Sequence, residues 1–88
     1  MERKPKSPTE YDFQIAKGNE ANLILNNQML NDVLAKIESN AVARMIDSLD
    51  PLQRESEWHK VRAIRDLKAE LQSIANSGKI AAKRKELK

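Results

Sequence analysis

Cysteine is absent from this 88-residue chain. That removes disulfides and thiolate metal sites together, and it agrees with a reducing compartment without requiring one. Histidine occurs once, at His59, too few for a histidine-based metal site within one chain. The aromatic residues are Tyr11, Phe13 and Trp58 only, and there are two glycines against 33% charged residues. Such a composition belongs to long helices rather than to a β-sandwich or an α/β enzyme. No apolar run approaches the roughly 20 residues needed to span a bilayer, so no membrane partner is expected. The basic start, Met1 to Lys6, leads into the polar stretch Ser7 to Asp12, not into the apolar segment of a signal peptide. The cytoplasm is therefore the expected location.

What remains is one small domain. A chain of this length buries a modest share of its surface and is marginally stable alone. The usual remedies are disulfides, metals or oligomerisation. With the first two removed, self-association is the expected one, and a dimer is the simplest form.

The charge is unevenly placed. The net charge is +3. Arg3, Lys4 and Lys6 against Glu2 give the start +2, and Lys79, Lys83, Arg84, Lys85 and Lys88 against Glu86 give residues 79–88 +4. The stretch 7–78 has eight basic and eleven acidic side chains, for −3. Basic ends on a mildly acidic body point to a partner with phosphates or acidic groups, whereas a solvated charge run is the plain alternative.

Two helical stripes organise the body. Leu30, Val33, Leu34, Ile37, Ala41 and Met45 lie within an arc of about 120° on one helix face. Val61, Ile64, Leu67, Leu71 and Ile74 form a second stripe, with Trp58 just beyond its edge. Between them Asp50-Pro51-Leu52-Gln53 is a start signal: a capping aspartate, proline at the first helical position, glutamine three after the cap. Proline also disfavours a helical residue before it. The chain must turn near Leu49-Asp50, and so short a connection predicts antiparallel neighbours. Ser7-Pro8-Thr9-Glu10 is an earlier start signal for a short N-terminal helix. Gly18-Asn19 weakens that helix, and Asn26-Asn27 is a further break at which Asn27 caps the next one. Asn76-Ser77-Gly78 is the expected stop, with Gly78 in the left-handed terminal position. The expected fold is all-α: an antiparallel helical hairpin with a short N-terminal helix, self-associating into a helical bundle. Its parts are a disordered basic N-terminus at 1–7, a helical domain at 8–78 and a basic C-terminal tail at 79–88, the last either another helical turn or two or a mobile segment.

A second apolar strip, Ala35, Val42, Ile46 and Leu49, lies off the first stripe. A two-helix hairpin does not bury both. Either Tyr11, Phe13, Leu23 or Ile24 covers this strip within the chain, or another subunit does. Val42, Ile46, Leu49 and Trp58 are accordingly the candidate oligomer contacts.

Chemistry-bearing motifs are scarce. Gly78-Lys79 lacks the earlier glycine and the following Ser/Thr of a phosphate loop. His59 has Glu55 one turn before it, but no cysteine exists and no serine stands in a nucleophile context, so a surface histidine beside a packed Trp58 is the expected role. Asp50, Glu55 and Glu57 stand at or near a helix start, where acids stabilise the helix dipole, rather than forming a metal site with Asp47. No enzyme, cofactor, metal or small-molecule substrate is expected. Lys79, Lys83, Arg84, Lys85 and Lys88 are candidate polyanion contacts, without the interleaved aromatics of a single-strand platform.

Glu20-Ala21, Ile24-Leu25-Asn26-Asn27, Leu34, the run Glu57-Trp58-His59-Lys60-Val61-Arg62-Ala63-Ile64 and Ser77-Gly78-Lys79-Ile80-Ala81 carry a resemblance. Residues 20–82 resemble a group of short helical proteins encoded by tailed bacteriophages. These share an A-x-x-I/L-L-x-N opening, a polar break, and a second helix ending in Gly-Lys and a small apolar pair. The resemblance implies a viral, non-enzymatic, oligomer-forming protein in the cytoplasm of a host bacterium or in the virion. The functional expectation is an interaction or assembly protein that oligomerises through apolar helix faces. The alternative is a nucleic-acid-binding accessory protein that uses its basic C-terminal tail.

Overall fold

The computed structural model describes residues 8–87, and every regular element among them is an α-helix. The order is α1 (Pro8–Leu25), α2 (Gln28–Asp47) and α3 (Pro51–Glu86). The expected disordered segment 1–7, the Ser7 cap and Lys88 lie outside the described residues.

Both breaks fall where turn chemistry places them. Asn27 has extended backbone, and its side-chain oxygen accepts the Leu30 N–H at 2.9 Å. That satisfies one of the donors a helix start leaves open. At the second break the Ser48 N–H donates to the Arg44 carbonyl at 2.9 Å, closing α2. Asp50 caps α3: its carboxylate accepts the Leu52 N–H at 3.0 Å and its carbonyl accepts the Arg54 N–H at 3.0 Å. Gln53 departs from the capping-box expectation. It accepts from the Ser48 hydroxyl at 3.1 Å, and that hydroxyl accepts the Asp50 N–H at 3.2 Å. Ser48 is a relay between two groups that a capping box joins directly.

Neither glycine stops a helix. α1 runs through Gly18 and α3 through Gly78, and neither glycine has a positive φ. The expected stop at Gly78 and the weak point at Gly18 are both corrected. The reason is contact. α1 and the part of α3 from Leu71 onward form one compact unit, in which the two glycines meet. A Cβ added at Gly18 would lie 2.8 Å from the Gly78 Cα, and one added at Gly78 would lie 3.1 Å from the Gln14 carbonyl oxygen. Close backbone approach is what glycine supplies here. Tyr11, Ala21, Ala75 and Ala81 are buried in the same unit, and Asp12 pairs with Lys85. Residues 79–86 are therefore a helix end with a packed side, the helical one of the two expected alternatives.

α2 and the part of α3 up to Glu70 form the second unit. Arg44 lies 3.7 Å from Glu57, and Arg65 lies 3.1 Å from Glu38. Rising numbers on one helix meet falling numbers on the other, as antiparallel neighbours require. Ala41, Val61 and Ile64 are buried, and Leu30, Leu34 and Met45 are half-buried. The predicted stripes are only partly inside, because Val33, Ile37 and Leu67 remain exposed. A seam with one neighbouring helix is narrower than a 120° stripe, so the stripe's edge is left over.

Candidate docking face

The seam of the α2–α3 unit has two rims. Glu38 and Arg65 meet along one, and Arg44 and Lys60 approach Glu57 along the other. Val42 and Ile46 follow Glu38 at successive four-residue steps, so they share its rim. Trp58 stands two turns before Arg65 on the same side of α3. The register set by the two ion pairs puts Trp58 level with Ala43 to Met45, between Val42 and Ile46. Leu49 and Leu52 flank the turn that joins α2 to α3. Helix spacing thus puts Val42, Ile46 and Trp58 along one rim, while Leu49 stands in the turn beyond α2. Ile46, Leu49 and Leu52 expose 77, 95 and 75% of their surface, and Trp58 exposes 46%.

Leu52 was not among the predicted contacts. Its signal was available: an apolar residue in the first turn of α3 that belongs to neither stripe. Trp58 is half exposed rather than packed, which corrects that expectation. The Arg62 guanidinium lies 5.7 Å from its ring centroid, and the His59 ring meets it edge-on at 5.2 Å. His59 stands 3.7 Å from Glu55, with both side chains largely in solvent. Arg62 and Asp66, four residues apart, pair at 3.5 Å. The charges around the face are therefore mixed in sign, with Arg62 paired to Asp66 and Arg65 to Glu38.

Glu57 is a further correction. It lies beyond the first turn of α3, where the helix dipole no longer acts, and it is 6% exposed. Lys60 approaches one carboxylate oxygen at 3.2 Å. The other oxygen lies 3.7 Å from Arg44 but has no hydrogen-bond partner. The signal for burial is the spacing Glu57, Val61, Ile64, Lys68, which alternates four and three as a helix seam does. Glu57 belongs to the seam and is no part of an open cleft.

The basic residues divide. Lys79, Lys83 and Arg84 are exposed on the last turns of α3, Lys85 is held by Asp12, and Lys88 lies outside the described residues. Among the described residues no group of three or more His, Asp or Glu side chains is placed to hold a metal ion. No helix among them is long and apolar enough to cross a membrane. Set against known proteins, the chain matches no family model, no curated protein and no solved structure.

Proposed function

We propose that this chain is a non-enzymatic assembly protein of phage type that self-associates through apolar helix faces. One observation supports the self-association: the large apolar side chains of the α2–α3 unit lie mostly outside it. Val61 and Ile64 are buried, whereas Ile46, Leu49, Leu52 and Trp58 face solvent. Fully covering an exposed Leu or Ile contributes about 1.5–3 kcal/mol. A monomer forgoes that at each of these positions. Trp58 with Arg62 stacked beside it supplies the residue types that dominate interface energies. The paired rim charges Glu38–Arg65 and Arg62–Asp66 add little net field to repel a like copy. Two α2–α3 hairpins joined on this face make a four-helix bundle.

Light scattering on the full chain at micromolar concentration tests this. A dimer or larger species is expected, and Ile46→Asp should reduce its mass while leaving helical circular dichroism intact. A folded monomer at high micromolar concentration overturns it.

One observation favours a second reading, an accessory protein that holds nucleic acid. Lys79 and Lys83, four residues apart, present their charges from one face of an ordered helix. This reading predicts salt-sensitive, sequence-independent binding.

A further inference from the structure

We infer that the opposite rim of the α2–α3 seam is a second docking face, occupied by α2 of another copy of this chain lying antiparallel across it. The face is built from Met29, Val33 and Ile37 on α2 and Leu67 on α3. Ile37 stands seven residues before Arg44 and Leu67 seven after Lys60, so both share the rim that those cations mark, since seven residues are nearly two whole turns. Val33 and Met29 continue the row at four-residue steps. Met29 is 73% exposed, and the other three are between 43 and 46% exposed.

The occupant follows from self-complementarity. When two α2 helices are placed antiparallel about a twofold axis level with Leu34, each Val33 falls level with Ala35 of the second copy. It then inserts between that copy's Val33 and Ile37, as knobs enter holes. The same register sets Asp32 level with Lys36 of the second copy, and Lys36 level with its Asp32. One shift along the axis therefore satisfies the apolar row and both charge pairs, the mark of an isologous contact. Asp32 accepts from the Gln28 side chain at 2.8 Å through one oxygen, and it and Lys36 are both exposed. A polyanion would meet Asp32 beside the apolar row. The row from Met29 to Ile37 is only about 12 Å long at 1.5 Å per residue. This contact is therefore the smaller of the two and forms at higher concentration.

The second face extends the self-association reading and rests on it only for the size of the final assembly. Sedimentation velocity of the full chain over a wide concentration range is the test. The native chain should pass from dimer to a larger species. Ile37→Asp should stop at the dimer built on the first face, Ile46→Asp at a dimer built on this one, and the double variant should be monomeric. Asp32→Lys and Lys36→Asp should each raise the concentration needed for the larger species several-fold. The combined charge reversal should restore it, because the reversed pairs match again. These two positions are exposed, so the reversal reports even if Ile37→Asp fails to fold. A native chain that never exceeds the mass of the charge variants, or a reversal that does not rescue, overturns the second face. Failure of the first face shows separately, as no effect of Ile46→Asp.

Discussion

Gly18→Ala is a substitution whose sign is decided by a distance. In an open helix it would add about 1 kcal/mol of stability through helix propensity. Here the new methyl would lie 2.8 Å from the backbone of Gly78, which has no side chain to swing aside. Overpacking of this kind costs about 1–3 kcal/mol, so thermal or urea unfolding should show a net loss. Glu57→Leu should go the other way. A buried ion group replaced by a packed apolar residue is typically neutral or stabilising by about 1–4 kcal/mol, and Arg44 is exposed enough to rehydrate. The same unfolding experiments check it. Both roles were illegible in the sequence for one reason. Local grammar treats glycine as a helix breaker and an acid near a helix start as a dipole partner. What overrides it at Gly18 is a neighbour on another helix, and no one-dimensional pattern names that neighbour.

At the scale of elements, the boundaries that carry their own hydrogen bonds were legible. Asn27 and Asp50 cap with their own side chains, so the sequence contains both the signal and its partner. Asp50→Ala should cost about 0.5–2 kcal/mol by leaving the Leu52 N–H without its side-chain acceptor, measurable as a lower unfolding midpoint with α3 otherwise helical. The end of α3 was not legible, because its continuation past Gly78 depends on α1. Truncation after Gly78 removes the buried Ala81 and the partner of Asp12. It should lower the unfolding midpoint and speed amide hydrogen exchange in α1, whereas a free tail would leave both unchanged.

At the scale of the whole molecule, the all-α class followed from composition and stripe spacing. Val42, Ile46 and Leu49, which lie off the main stripe, are exposed. Exposure of Val33, Ile37 and Leu67 was not legible in the sequence, since a stripe's period does not say how many neighbours will cover it. The basic end is changed most by the fold. With Lys85 held by Asp12, the described free cations at the end of α3 are Lys79, Lys83 and Arg84. Were all three to contact duplex phosphates, the slope of log affinity against log salt would be about −2.7. A gel-shift series in salt should give no steeper slope from these three, and Asp12→Asn should strengthen binding by freeing Lys85.

Two of the ion pairs that tie α3 to its neighbours differ widely in the length of chain they close. Glu38 and Arg65 are 27 positions apart, whereas Asp12 and Lys85 are 73 apart. Closing the longer loop directly from the unfolded chain costs about 0.9 kcal/mol more in entropy. Contacts of short sequence separation also form faster. The α2–α3 pairing should therefore assemble first, before α1 docks on the part of α3 from Leu71 onward. In the reverse direction α1 should be the first helix to open, a sub-global step visible as a separate, lower-energy class of exchanging amides. The crossing at Gly18 and Gly78 would then be the last contact made in folding and the first released.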